Sequence, residues 1–312
     1  MDFKDFAFGL EIELTGLPRK AAIKTLEAAL IDSHVFHEIN KNKITDTSGR
    51  IWKIVNDTSI TKQIHHSYLH WQPEEYISAD DLWSFYSDAE NCEIECVTPI
   101  CTLDDWPVIQ RIIRYFRKNM AKVNTSCGIH IHLSISSFTK FEVIKLSTLV
   151  GLYEPLLYKV LGVHDDRLNY AKKMPHDYKK TSNRIFKYGY GTMEELSRNW
   201  FKEFVIHEHR KTRYRGLNLY NYYKPILNKP TIEFRYFNST LHAGKIRTYL
   251  YLTLALAKKA KEIKDYSRIL YRASSINTIT QFEKWLKFME LDKDPIIENH
   301  LKTAFSNEHY FK

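Results

Sequence analysis

Glycine and proline are scarce in this chain, ten and nine in 312 residues. Flexible inter-domain linkers are usually built from those residues, and no Pro/Gly-rich stretch, repeat or low-complexity tract interrupts the sequence. The expectation is one compact domain over residues 1–261 with a helical extension, 262–312, packed on it. Long apolar runs are missing too. The best, Tyr249–Ala257, falls far short of the ~18 residues a bilayer span needs, so no membrane partner is expected. The opening Met-Asp-Phe-Lys-Asp-Phe lacks the basic-then-apolar pattern of a secretory signal. Cysteine is limited to Cys92, Cys96, Cys101 and Cys127, without a C-x-x-C pair. That argues against a structural zinc site, and a chain of this length needs no disulfide staples. Reduced thiols in a cytoplasmic protein are expected.

Aromatic residues and positive charge are plentiful. Twenty Tyr, seventeen Phe and six Trp can fill a large core. With 44% hydrophobic and 27% charged residues the composition is ordinary and globular, which excludes disorder and fibres. The net charge of +9 favours a polyanionic partner: nucleic acid, nucleotide phosphates or an acidic surface.

Period-two alternation marks strands at Phe6–Thr15, Ile51–Thr58, Cys92–Thr98, Gly128–Ile135, Arg213–Leu219 and Thr231–Phe237. Helical patterns cover Pro18–Asp32, Leu103–Met120, Phe138–Val160, Thr192–Phe204 and Leu241–Ile263. Two short helices, broken near Pro295, account for Thr278–Phe305. The irregular mixture predicts an α+β fold with a mainly antiparallel sheet packed with helices and a C-terminal helical tail. Arg167–Lys187 is rich in Lys and Arg and weakly periodic, and reads as a basic loop, while a second basic cluster, Arg210, Lys211, Arg213 and Arg215, leads into a strand. Most of these lysines are expected to be solvated surface. Arg167 and Arg213 are the two candidates for meeting a phosphate-bearing ligand or carboxylate substrate. His65, His66 and His70 sit in a polar, turn-like stretch and read as surface.

Successive side chains on a strand project to opposite faces. Phe6, Phe8, Leu10, Ile12 and Leu14 share one face of their strand, while Glu11 and Glu13 share the other with Gly9. Ile129, Ile131, Leu133 and Ile135 oppose Gly128, His130, His132 and Ser134. Ile232, Phe234 and Tyr236 oppose Glu233 and Arg235, and Cys92, Ile94 and Cys96 oppose Glu93 and Glu95. A lone Glu-x-Glu is more often an exposed strand face, and Glu-x-Arg is often a surface ion pair of little worth. Their coincidence on four similar strands is the signal. If these strands are neighbours, Glu11, Glu13, Asp57, Glu93, Glu95 and Glu233 crowd one face. Crowded carboxylates raise one another's pKa unless cations intervene. Oxygen-rich donors favour Mg²⁺ or Mn²⁺ over Zn²⁺, and Arg235 on the same face suits a phosphate. Glu93 is expected to be surface.

Several short motifs occur in order: Phe8-Gly9-Leu10-Glu11-Ile12-Glu13, then Trp52 with Asn56-Asp57-Thr58-Ser59, then Glu95-Cys96-Val97-Thr98-Pro99. They continue with Ser126-Cys127-Gly128-Ile129-His130-Ile131-His132, Asn218 and Thr231-Ile232-Glu233-Phe234-Arg235. This set resembles the putative amidoligase family, relatives of glutamine synthetase and glutamate–cysteine ligase. The match runs from about Phe6 to Thr253, with Thr98 where Ser is commoner and Cys96 in place of an aliphatic residue. The resemblance implies a curved antiparallel half-barrel, glutamine synthetase-like, whose inner face binds Mg²⁺ and ATP. It places Glu11, Glu13, Glu95, His130 and Glu233 as metal ligands and Asp57 near the metals and the attacking amine. His132, with Ser134 beside it and Arg213, would contact nucleotide, and Arg235 the transferring phosphate. Arg167 and Asn218 are the candidates for binding substrate.

The expected reaction is ATP-dependent amide formation between a carboxylate and an amine, either of which a peptide or other macromolecule could carry. Arg235 and Asp57 are the expected catalytic groups. The rival readings are a metal-dependent hydrolase or nuclease built on the same Glu/His cluster, and a basic nucleic-acid-binding protein. The latter leaves the carboxylate doublets without a purpose.

Overall fold

A computed structural model describes residues 2–63, 92–225, 230–269, 273–307 and 310. The cluster His65, His66 and His70 lies outside them. Eight strands, β1 (Phe8–Leu14), β2 (Phe36–Asn40), β3 (Lys43–Asp46), β4 (Ile51–Asn56), β5 (Ile94–Val97), β6 (Gly128–Ser134), β7 (Leu217–Asn218) and β8 (Thr231–Asn238), form one open sheet. The strand order is β2-β3-β4-β5-β1-β6-β8-β7, and the pairings are antiparallel, as in β1 with β5 and β7 with β8. The mixed helix and antiparallel sheet agree with the sequence expectation. The strands that carry the titratable doublets are consecutive in this order.

Contacts divide the chain into two compact units. One comprises Gly9–Ile129 and Ser239–Ala243, the other Met1–Phe8, His130–Asn238 and Gly244–Lys312. In the first, α1 (Arg19–Asp32) and α2 (Trp106–Lys118) pack together. Helix α2 buries Ile109, Ile112, Ile113 and Phe116, the i, i+3, i+4, i+7 stripe of an amphipathic helix. The β2–β3 hairpin escaped the sequence reading. Most of β2 is exposed, so it has no apolar face to alternate, and its turn uses Lys41 at φ +56°, a left-handed conformation that lysine seldom advertises.

The second unit is organised on α3 (Lys140–Leu161), α4 (His176–Tyr188), α5 (Met193–Phe201), the single turn α6 (Tyr220–Tyr223), α7 (Ala243–Glu262), α8 (Ile279–Met289) and α9 (Pro295–Ser306). Helix α3 starts at a Thr139/Glu142 capping box and ends on Gly162, left-handed at φ +54°. It is buried along its length, with α4 and α9 against it and the Tyr153 ring edge-on to Trp285 of α8.

Two expectations are corrected here. Arg167–Lys187 is not a basic loop: it holds the end of a 3-10 turn, Asp165–Asn169, and all but the last residue of α4. Helix α4 buries Tyr178, Thr181, Ser182, Ile185 and Phe186. That spacing is helical, but hydroxyl side chains hide it from a hydropathy reading. Arg213–Leu219 is not a strand of that length either. Ile206–Tyr214 is 3-10 helix, and β7 retains only Leu217–Asn218.

The four cysteines are buried. Burial, then the Glu95 carboxylate, pushes the Cys96 thiol far up, and burial, then Asp105, takes Cys101 up to about 12. Both are therefore inert thiols. Among the described residues, no helix is long and apolar enough to cross a membrane.

Glu290, left-handed at the end of α8, gathers Lys258 and Lys259 of α7 together with Lys293. Burial opposes its ionisation, but hydrogen bonds from the three ammonium groups prevail and hold its carboxyl far below the usual range. A depressed carboxylate stabilises the fold above its unfolded pKa, about 4.5, and that contribution is lost as pH falls through the folded value. Glu290→Gln is therefore expected to lower the melting temperature at pH 7. The gap from wild type should shrink as the pH is taken from 4.5 towards 2. A gap that does not change with pH would show that the ion pairs are not its source.

Candidate functional site

Two clusters of titratable side chains stand out, one within each unit. In the first unit, Glu13 of β1 lies directly opposite Glu95 of β5 in the antiparallel register. Asp57 follows the end of β4 and is fixed by its backbone: its N–H donates to the Glu93 carbonyl at 3.0 Å, and its Oδ1 accepts the Ser59 N–H at 2.9 Å. Oxygens of Glu13, Asp57 and Glu95 all lie within 4.8 Å of one another. Glu13 is only 2% exposed, and its Oε2 accepts the Gly128 N–H at 2.5 Å. Gly128 thus contributes a backbone donor as well as strand spacing. Glu11 stands two residues back on the same face of β1, half-buried.

Like charges opposed across a sheet are destabilising. At an effective dielectric of ~20, two of them ~5 Å apart repel by about 3 kcal/mol. A divalent cation converts that repulsion into binding energy. The donor set is carboxylate oxygen alone, which fits Mg²⁺ or Mn²⁺ and not the nitrogen and sulfur preference of Zn²⁺. Glu93, two residues from Glu95 and half-buried like it, accepts the N–H of its neighbour Cys92 at 3.0 Å.

In the second unit, Asn218 of β7 is paired in register with Glu233 of β8. The Asn218 Nδ2 donates to Glu233 Oε2 at 2.6 Å, while its Oδ1 accepts the Tyr220 N–H at 2.9 Å. Both ends of the Asn218 amide are therefore engaged in fixing Glu233. Glu233 Oε1 pairs with Arg235 Nη1 and lies 3.6 Å from His130 Nδ1 and 3.9 Å from His132 Nε2.

Two guanidinium groups converge on His130, which is 2% exposed. Arg235 Nη1 lies 3.3 Å from Nδ1, and Arg167 Nη2 lies 3.4 Å from Nε2. Guanidinium only donates, and a neutral imidazole has one acceptor nitrogen, so the ring can accept from one of the two at a time. Arg167, 1% exposed, also donates to the Arg235 carbonyl at 3.4 Å. Arg235 Nε donates to the Tyr170 carbonyl at 3.3 Å. The geometry is a buried carboxylate and imidazole flanked by two fixed cations, an arrangement able to receive an anion of phosphate type.

The other candidates lie further out. His132 is half-buried, and Ser134 faces Ser136 at 3.2 Å between hydroxyl oxygens. Arg213 is exposed and lies flat on Tyr214, 4.9 Å from the ring centroid, with Nη2 donating to the phenol at 3.1 Å. It joins neither cluster among the described residues, because the 3-10 conformation of Ile206–Tyr214 replaces the strand that would have aimed it. The sequence reading missed Tyr170, which acts through its carbonyl and so has no side-chain signature. It also missed Glu154, the acid of an otherwise apolar stretch of α3, where that isolation was the available signal.

If Glu13, Asp57 and Glu95 repel one another when no cation is bound, Glu95→Gln should raise the melting temperature in EDTA by roughly 2 °C or more. Wild type is expected to gain stability on adding Mg²⁺, and the same substitution should abolish that gain. A lower melting temperature in EDTA would mean that the carboxylates are not in conflict.

A search of curated proteins returns no match. A family model described as a putative amidoligase enzyme matches residues 4–257, a span that contains every residue of both clusters. With most of its length matched by that model, the chain belongs to the putative amidoligase enzyme family.

Proposed function

We propose that this protein is an ATP-dependent carboxylate–amine ligase that forms an amide bond through an acyl phosphate. The observation that carries the proposal is the pairing of Glu13 against Glu95 with Asp57 beside them, an all-carboxylate set that calls for divalent cations. Family membership supplies the reaction class. The curved, half-barrel form of the sheet belongs to the same proposal.

A carboxylate does not react with an amine at neutral pH because its leaving group is poor. Phosphorylation by ATP turns that oxygen into a good one. Glu11, Glu13, Glu95, His130 and Glu233 would hold Mg²⁺ or Mn²⁺, which when bound neutralises the β- and γ-phosphates and orients them for transfer. Arg235 would stabilise charge developing on the moving phosphoryl group. Arg167, whose guanidinium is fixed beside it, would engage the substrate carboxylate or the acyl phosphate. His132 and Ser134 are the proposed nucleotide contacts.

An amine with pKa near ~10 arrives protonated, so its proton must be accepted before attack. Asp57 is the proposed acceptor, held by the Ser59 N–H with its carboxylate among the others. Asn218 is better described as the residue that holds Glu233 than as a substrate ligand. Arg213 has no part in this mechanism.

Calorimetric titration of a non-hydrolysable ATP analogue tests the proposal. Binding is expected in Mg²⁺, not in EDTA, and should be lost in Glu233→Ala. Absence of binding to wild type, together with Mg²⁺-dependent cleavage of a phosphodiester, would replace the ligase by the metal-dependent hydrolase. In an assay of ADP release over acid and amine pairs, Arg235→Lys should cut turnover by roughly 100-fold, because a point charge cannot reproduce bidentate contact. Equal rates would place Arg235 outside the phosphate site.

A further inference from the structure

Glu154 is fully buried in α3 at 0% exposure, and no motif includes it. Its carboxylate accepts three hydrogen bonds from three different places. Oε1 takes the backbone N–H of Met174 at 2.8 Å and the Tyr236 hydroxyl at 3.1 Å, and Oε2 takes the Lys179 ammonium at 3.1 Å. A buried carboxylate is tolerated when it is paired and hydrogen-bonded in this way.

The surroundings are shaped to this contact. A Cβ at Gly151, one turn earlier in α3, would stand 3.1 Å from Lys179 Cγ, so the glycine lets the lysine stem lie along the helix and reach Glu154. Tyr236 fills the space over Gly216, where a Cβ would stand 2.1 Å from the ring, and packs edge-on against Tyr158. The Tyr158 hydroxyl donates to the Ala171 carbonyl. Burial, then the Glu154 charge, pushes the Tyr236 phenol well above its usual range, so it stays a donor.

The two strips of chain that Glu154 joins both lead to the arginine pair. Tyr236 is the neighbour of Arg235 on β8, and Arg235 N–H is bonded to the Gly216 carbonyl at 2.7 Å. The strip ending at Met174 begins with Arg167 in its 3-10 turn and passes through Tyr170, whose carbonyl accepts from Arg235 Nε at 3.3 Å. Lys172 in the middle is tied on both sides, its N–H to the Tyr214 carbonyl at 2.9 Å and its carbonyl to the Gly216 N–H at 2.8 Å. We infer that Glu154 is a positioning residue for Arg167 and Arg235: it locks the Arg167–Met174 turn to β8 and so sets where the two guanidinium groups stand. The consequence for turnover rests on the ligase reading; the consequence for the arginines does not.

The test uses the full chain and follows arginine Nε–H groups by ¹⁵N NMR, assigned with Arg167→Lys, Arg235→Lys and Arg247→Lys. Glu154→Gln keeps the shape and removes the charge, and Tyr236→Phe removes one donor with little risk to folding. The Arg235 Nε–H should exchange roughly tenfold faster or more in Glu154→Gln, and by a smaller factor in Tyr236→Phe. Arg247, paired with Asp294 at 2.8 Å, should stay at its wild-type rate. Turnover of Mg²⁺–ATP should fall with KM for ATP within about twofold, the split expected when transition-state contacts are misplaced and ground-state binding is kept. Wild-type exchange at Arg235 in both variants would overturn the inference. Equal acceleration at Arg247 would also overturn it, since Glu154 would then be a general stability residue. Faster exchange at Arg235 alone, in a protein whose wild type neither binds nor turns over ATP, would support the inference and remove the ligase reading.

Discussion

A strand has two faces, and in this protein each strand that carries a candidate ligand has one face committed to the core. Phe8, Leu10, Ile12 and Leu14 are each at most 1% exposed. At about 2 kcal/mol for each buried side chain, the four together outweigh a repulsion of about 3 kcal/mol between any two carboxylates on the other face. The register therefore cannot slip by one residue to relieve the acids, because that would expose the apolar set. Hydrophobic burial holds Glu11 and Glu13 in place, and their mutual repulsion is the cost that a bound cation would remove.

The two clusters solve the same electrostatic difficulty in different ways. Glu13, Asp57 and Glu95 are surrounded by backbone donors, with Gly128 and Ser59 each supplying an N–H. Glu233 is held by neighbouring side chains, with Arg235 on one oxygen and Asn218 on the other. The first arrangement leaves net negative charge for a divalent ion. The second presents guanidinium groups whose directions are set by carbonyls of Tyr170 and Arg235.

Parts of the chain outside the two clusters contribute through packing. Helix α3 is buried on nearly all sides, which is why a carboxylate there needs three donors and why a glycine is retained in mid-helix at a cost of about 1 kcal/mol relative to alanine. The C-terminal helices α8 and α9 reach the same helix through Trp285 on Tyr153 and through α9 itself. Their Glu290 cluster gathers lysines that a sequence count would assign to solvent.

The sequence by itself determined the face of three strands that carry candidate ligands, because period-two alternation of Phe8 to Leu14, Gly128 to Ser134 and Thr231 to Phe237 leaves one solution. It also determined most helices and the chemical types in the candidate site. Strand order and the partners of each side chain came only from tertiary structure. No periodicity says that Glu13 stands opposite Glu95, that Asn218 fixes Glu233, or that Arg213 is turned onto Tyr214 by a 3-10 segment. Helix α4 was hidden because its inward face is built with Thr181 and Ser182: the Ser182 hydroxyl donates within the helix to the Lys179 carbonyl, and the Thr181 hydroxyl accepts from Asn199, a partner brought only by the fold. Glu154 was hidden for the same reason: a buried charge is stable only through donors brought from residues 174, 179 and 236, and their meeting is a property of the folded chain.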